Sequence, residues 1–193
     1  TNCYFVINDE TKETIIIDPG ECARQLAKKA NEENLKPVAI LLTHGHFDHI
    51  GATNALKKHY SVDVYAHEAE VDVAKDIMLN LSAHFDEANS VIVDRPLKDS
   101  QEFEIAGFKV KVIHTPGHTK GGLCLYSEKE KLVFTGDTLF QESIGRTDLP
   151  GGDMTTLIRS LKKLVVLPED TQVYPGHGYP TTIGHEKQYN PYL

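Results

Sequence analysis

The stretch Thr43-His44-Gly45-His46-Phe47-Asp48-His49 decides how the rest of the chain is interpreted. It places three histidines and one aspartate within six positions, and imidazole and carboxylate groups are ligands that suit divalent metals. Gly45 carries no side chain, so the backbone can turn tightly between the first two histidines. The apolar residues 38–42 immediately before the stretch predict a buried strand. We therefore predict a metal site at the end of a strand.

The bulk composition predicts one domain, residues 1–193, and argues against several classes of partner. The net charge of −8 disfavours a nucleic-acid or membrane-surface binder, and no apolar run reaches the roughly 20 residues of a membrane helix. Three widely spaced cysteines match no zinc motif, which predicts reduced thiols in a cytoplasmic protein. Because the chain opens at Thr1, without Met and just before a predicted strand, we expect a few N-terminal residues to be missing.

Apolar periodicity predicts a mixture of strands and helices, an α+β fold. Runs and alternations predict strands over residues 3–7, 14–17, 38–42, 62–65, 101–105, 108–113, 123–126, 131–134 and 172–174. Spacings of three and four predict helices over residues 21–34, 69–81, 154–164 and 183–189, with a further one opening near Ile50. Asp153 is placed to cap the helix over residues 154–164.

Three later strands also end in glycine and a residue that can bind metal. These segments are Pro116-Gly117-His118-Thr119, Thr135-Gly136-Asp137 and Pro175-Gly176-His177-Gly178. Each segment alone is more typical of a turn, but the same format at several strand ends points to one shared site. Asp18, in Asp18-Pro19-Gly20, allows two interpretations equally: a cap for the next helix, or an acceptor for a metal-bound histidine.

In order along the chain, these motifs resemble those of the metallo-β-lactamase superfamily. Within it, Gly136-Asp137-Thr138-Leu139-Phe140, Gly145-Arg146 and the C-terminal Thr182, Glu186 and Asn190-Pro191 are most similar to the glyoxalase II-like branch (hydroxyacylglutathione hydrolases). The resemblance implies a four-layer αβ/βα sandwich with the metals at one edge, between two sheets.

The resemblance also implies which residues hold two divalent ions, expected to be zinc, with iron or manganese as alternatives. One ion would be held by His44, His46 and His118. The other would be held by Asp48, His49 and His177, and Asp137 would bridge the two ions. Two metals about 3.5–4 Å apart can share a water and lower its pKa towards neutrality. Asp48 is a candidate proton acceptor from that water as well as a ligand.

The predicted reaction is hydrolysis of a small-molecule thioester such as S-D-lactoylglutathione by a metal-bridging hydroxide. A thiolate leaves from a thiol of pKa about 8.5 and needs little help from a general acid, whereas an amide needs a proton donor. The resemblance implies that Arg146 binds the glutathione part, and Lys120 is a second candidate for an anionic group. Only 16 residues follow His177, fewer than in full glyoxalase II enzymes, so a more open site for other thioesters, esters or lactones is an alternative.

Two rival interpretations remain at this stage. A persulfide dioxygenase-like enzyme would share the motifs but use one iron held by His44, His118 and Asp137. A metal-binding structural domain is the non-enzyme alternative, although closed structural zinc sites usually saturate one ion with four ligands. Metal identity and oligomeric state do not follow from the sequence.

Overall fold

Two β-sheets lie face to face in this computed structural model, which describes residues 1–85 and 88–193. The first sheet contains β1 (Tyr4–Ile7), β2 (Glu13–Ile17), β3 (Lys36–Leu41), β4 (Asp63–His67) and β5 (Arg95–Leu97). These strands lie side by side in chain order, and all neighbours are parallel except the β1–β2 hairpin.

The second sheet is mostly antiparallel. It contains β6 (Glu102–Ile105), β7 (Phe108–His114), β8 (Leu123–Ser127), β9 (Leu132–Gly136), β12 (Gln172–Pro175) and β13 (Thr181–Thr182). Their order is β13-β12-β9-β8-β7-β6, and β12 pairs with β9 in parallel. A short hairpin of β10 (Leu139–Phe140) and β11 (Ser143–Ile144) follows β9.

Helices occupy the links between strands. They are α1 (Ala23–Glu32), α2 (Phe47–Ile50), α3 (Thr53–Tyr60), α4 (Val71–Lys75), α5 (Met154–Leu164) and α6 (Ile183–Tyr189), with 3₁₀ turns at Glu68–Glu70 and Ser82–His84. Asp153 caps α5 by accepting a 2.7 Å hydrogen bond from the backbone N–H of Thr156, as predicted.

Three apolar clusters separate four layers. In β2, Ile15 and Ile17 face the second sheet, whereas Ile16 faces the helices with Leu56 of α3. Both faces of β2 are therefore buried, which is why its side chains are apolar on both faces. A third cluster packs α5, through residues such as Leu157, on the outer face of the second sheet. The layers are therefore helix, sheet, sheet and helix, which agrees with the predicted αβ/βα sandwich.

The sheet topology brings the predicted ligand segments to one edge. The parallel strands β2 and β3 run into Asp18 and the histidine stretch. The parallel strands β9 and β12 run into Asp137 and His177. Because carboxyl ends of parallel strands share an edge, these four polar segments meet there.

One predicted helix is too long, and several short strands were not predicted. The helix predicted over residues 69–81 ends at Lys75, because the Asp76 side chain accepts hydrogen bonds from the backbone N–H groups of Met78 and Leu79. This local turn competes with helical hydrogen bonding. Strands β5, β10, β11 and β13 span only two or three residues, too few for a periodic pattern.

Two further expectations concern the cysteines and membrane-spanning helices. The three cysteines are free, as predicted. No helix in the described ranges has both the length and the apolar character needed to cross a membrane.

Candidate metal centre

Three histidines from two loops form the first cluster. Nε2 of His44 lies 3.1 Å from Nδ1 of His46, which lies 2.9 Å from Nε2 of His118. All three side chains are buried, and burial is the main reason that their pKa values lie below the ordinary value, at about 3 for His46. Neutral imidazoles offer the lone pairs that a metal needs.

The hydrogen bonds around the first cluster fix which nitrogens face its centre. Nδ1 of His118 donates to the backbone carbonyl of Arg146 over 2.7 Å, because a carbonyl oxygen can only accept. Nδ1 of His44 lies 3.3 Å from the hydroxyl of Thr43, which itself donates to Asp18. In both neutral rings, Nε2 is left with a lone pair directed into the cluster.

Asp48, His49 and His177 form the second cluster. Oδ2 of Asp48 lies 3.2 Å from Nε2 of His177 and 3.6 Å from Nε2 of His49. Burial opposes ionisation of Asp48, but the hydrogen bond from His177 and the charge of His49 lower its pKa. The carboxylate is therefore ionised at neutral pH.

Asp137 lies between the two clusters. Its Oδ1 is 3.4 Å from Nε2 of His49, and its Oδ2 is 3.5 Å from Nε2 of both His118 and His177. One carboxylate thus reaches ligand atoms of both clusters, the arrangement expected of a bridging ligand.

The donor set of these residues fits divalent cations. Nε2 of His49 and Oδ1 of Asp137 are buried, and neither makes a hydrogen bond. Unpaired buried polar atoms are costly, and a shared cation would satisfy both. Imidazoles and carboxylates within 4.8 Å of one another suit zinc and iron equally well.

Asp18 contacts His49, the contact that the second of its two predicted roles requires. Its Oδ2 lies 3.0 Å from Nδ1 of His49, and its carboxylate also accepts from the backbone N–H and hydroxyl of Thr43. It does not cap α1, whose N-cap position is Cys22 and has no side-chain hydrogen bond. Burial lowers the pKa of His49, but the carboxylates of Asp18 and Asp137 outweigh it and raise that pKa to about 10.

Gly176 shows why glycine precedes the last histidine. A Cβ at this position would lie 2.3 Å from Oδ1 of Asp137 and 2.8 Å from Cε1 of His49. Any side chain would therefore displace residues of both clusters. The glycine that the sequence pattern highlighted is required by close approach of the backbone.

Glu70 is a buried acidic residue near the centre that sequence reasoning missed. It is fully buried and accepts hydrogen bonds from the loops that carry His46 and His118. Its position inside a predicted helix gave no motif. The same part of the chain also carries Glu68, Asp72 and Asp76, so residue type alone did not distinguish Glu70.

A cavity of about 780 Å³ opens over the two clusters. Part of its lining is apolar, and we call this part the apolar wall; it consists of Phe47, Met78, Leu79, Leu81, Phe85, Leu149 and Pro150. Met78 and Phe85 are more than half exposed, and Phe85 stacks on Phe47 with ring centroids 4.0 Å apart. The volume is that of a site for a small organic molecule.

The two predicted substrate-binding cations are placed differently. Arg146 lines the cavity, and its exposed guanidinium makes two hydrogen bonds of 2.8 and 2.7 Å to Asp148. Lys120 is exposed and is not among the described residues that line the cavity. The structure therefore brings Arg146, but not Lys120, to the candidate centre.

Comparison with known proteins identifies the class of protein. Residues 1–177 match the metallo-beta-lactamase superfamily, and the chain belongs to that superfamily. This confirms the family resemblance, and with it an enzyme of the metallo-hydrolase class whose fold binds divalent metals.

Individual proteins similar to this chain are more specific than the superfamily match. The chain is 41% identical to hydroxyacylglutathione hydrolase GloC of Haemophilus influenzae, covering all of this chain and 92% of that protein. The crystal structure of BLEG-1 B3 metallo-beta-lactamase is similar with a TM-score of 0.95 and 45% identity, over all of this chain and 94% of that one. A di-iron-bound structure of TTHA1623 follows at a TM-score of 0.88 and 39% identity, over 100% and 94%.

Proposed function

We propose that the protein hydrolyses thioesters of small molecules, such as S-D-lactoylglutathione, at a centre of two divalent ions. The observation that best supports this proposal is the position of Asp137 between two clusters, each of which offers three further candidate ligands. Seven protein groups around two ions leave room for water and substrate, unlike a closed structural site. The similarity to a hydroxyacylglutathione hydrolase supports this reaction class.

The bound ions would supply an activated water and polarise the substrate carbonyl. The protein's own residues would do the rest. His44, His46 and His118 would hold one ion, and Asp48, His49 and His177 the other. Oδ2 of Asp48 faces the second cluster, and the other oxygen of this carboxylate would take a proton from the attacking water.

The cavity supports a thioester with a substantial apolar part. Apolar side chains that stay exposed beside a reactive centre are favourable contacts for a ligand that covers them. Arg146 is the described cation on the cavity lining, and Asp148 already neutralises it. The anionic groups of glutathione would have to compete with Asp148 for this guanidinium.

The test begins with the purified protein and its native metal. We expect about two metal ions per chain. We also expect cleavage of S-D-lactoylglutathione, measured by the appearance of the free thiol. His177→Ala should abolish cleavage and reduce metal content, whereas His185→Ala, a histidine paired with Glu142 outside the clusters, should change neither. Two bound ions without cleavage of any thioester would contradict the proposal.

A β-lactamase activity is the second candidate, favoured by the similarity to a B3 metallo-beta-lactamase structure. Nitrocefin added to the same assay tests it directly. We expect thioester cleavage to be faster, because a thiolate leaves with little help from a general acid, whereas an amine leaving group needs a proton donor.

The same sample separates hydrolase from dioxygenase chemistry. The dioxygenase-like alternative needs one iron and consumes oxygen with glutathione persulfide, so oxygen uptake without thioester cleavage would favour it.

A further inference from the structure

Glu70 connects the two loops that carry the first cluster. Its Oε1 accepts from the backbone N–H of Gly45, between His44 and His46, over 2.8 Å. Its Oε2 accepts from the hydroxyl of Thr119, next to His118, over 2.9 Å and from the backbone N–H of Gly121 over 2.7 Å. One carboxylate therefore links loops that lie more than 70 positions apart in the chain.

The contacts to Glu70 are close enough to fix the loops. A Cβ on Gly121 would lie 2.4 Å from the backbone nitrogen of Glu70, and one on Gly45 would lie 2.8 Å from the backbone nitrogen of Ala74. The segment from Glu70 to Ala74 thus packs directly against both loops. A shift of Glu70 must move His46 relative to His118.

The chemistry of the three partners requires a carboxylate. Two of them are backbone N–H groups bound to different oxygens of Glu70, so both oxygens must accept. Glutamine has one accepting oxygen and one donating nitrogen. In either orientation it leaves one backbone N–H group facing a donor.

We propose that Glu70 is a positioning residue that sets the relative placement of His46 and His118, and through it the affinity of the first cluster for a divalent ion. The proposal rests on the two-cluster metal centre of the proposed function, but not on the thioester substrate.

The test compares Glu70→Gln with Glu186→Gln. Glu186 is a matched control because it is also fully buried and accepts three hydrogen bonds, from Thr181, the backbone of Glu142 and Asn190, away from the ligand loops. Both variants should lower the Tm of the metal-free protein. Both variants therefore share the loss of a buried carboxylate, and a difference in zinc affinity between them must have another cause.

The deciding readout is zinc affinity, measured by competition with a chromogenic chelator, together with the absorption spectrum of the cobalt-substituted protein. We expect Glu70→Gln to bind one of its two zinc ions 10- to 100-fold more weakly and to show an altered cobalt spectrum. Glu186→Gln should retain wild-type zinc affinity. Equal zinc affinities in the two variants would overturn the proposal.

A second variant covers the case in which Glu70→Gln does not fold. Thr119→Val keeps the carboxylate and the side-chain volume but removes one of the three donors, and we expect a severalfold loss of zinc affinity. Unchanged zinc affinity in folded Thr119→Val would then overturn the proposal. Wild-type protein that binds no zinc would instead contradict the proposed function, so the two failures are distinguishable.

Discussion

Oδ2 of Asp18 lies 3.0 Å from Nδ1 of His49, and both side chains are buried. Asp18 therefore orients the ring of His49, whose other nitrogen faces Asp48 and Asp137.

Asp18→Asn should disturb this arrangement in either orientation of the new amide. In one orientation the amide N–H groups face the backbone N–H of Thr43, and in the other they face the His49 ring. We expect metal affinity of the second cluster to fall 10- to 100-fold, measured by chelator competition.

Asp94→Asn is the control for this variant. Asp94 also accepts a backbone N–H, from Val64, and pairs with Lys57, but it touches neither cluster. Its substitution should reduce stability without reducing metal affinity. Equal metal loss in both variants would show that Asp18 acts only through the fold.

Gly176 and Gly178 form a matched pair for substitution by alanine. A Cβ at Gly176 meets Asp137 and His49, whereas one at Gly178 meets nothing within 4 Å. We expect Gly176→Ala to lose at least one metal ion and most activity. Gly178→Ala, with φ of +78°, should cost only about 1 kcal/mol of stability and keep both ions. Metal content by elemental analysis and Tm distinguish the two effects.

The apolar wall should set a preference among acyl groups. Met78 is 58% exposed on this wall, so Met78→Ser removes apolar contact without emptying the core. We expect kcat/KM for S-hexanoyl relative to S-acetyl thioesters of one thiol to fall about fivefold, or about 1 kcal/mol. Val166→Ser, at an exposed position off this wall, should leave the ratio unchanged. An unchanged ratio in Met78→Ser would exclude a role for this wall.

The Arg146–Asp148 pair predicts opposite effects of two substitutions. The pair is exposed, and such pairs are worth at most about 1 kcal/mol, so Arg146 can be released towards a ligand. We expect Asp148→Asn to lower KM for S-D-lactoylglutathione a few fold and Arg146→Ala to raise it. Arg95→Ala, which breaks an exposed pair with Asp63 elsewhere, is the control. A KM that rises in both variants would contradict anion binding by Arg146.

Metal binding should release a proton from His49. Burial opposes its charge, but Asp18 and Asp137 raise its pKa to about 10, so the metal-free ring is protonated at neutral pH. A metal ion must displace that proton, and affinity for the second ion should therefore increase with pH up to about 10. Calorimetry in two buffers of different ionisation enthalpy counts the protons released at pH 7.5.

The raised pKa of His49 also affects the stability of the metal-free protein. A pKa raised from about 6.5 to about 10 stabilises the folded state fully below pH 6.5, and this contribution is lost as pH rises through 10. The Tm of metal-free protein should therefore fall between pH 7 and 10 more steeply than that of Asp18→Asn. Parallel pH profiles would contradict the assignment of this shift to Asp18.

The sequence by itself determined the family, most of the regular elements and a candidate metal site. The histidine stretch, the glycine-linked His118, Asp137 and His177, and the long amphipathic helix α5 all carry local patterns of residue type and spacing. Local patterns suffice there because each strand end supplies its ligand within a few residues of an apolar run. The end of the helix predicted over residues 69–81 was missed because Asp76 acts through its own side-chain hydrogen bonds.

Only the tertiary structure decided which groups support and surround the centre. The choice between two roles for Asp18, the buried position of Glu70, and the placement of Arg146 but not Lys120 on the cavity all depend on contacts between distant segments. Spacing along the chain carries no information on such contacts, because the two sheets must first pack face to face. The candidate ligands are encoded locally, whereas their orientation and the cavity beside them arise from packing.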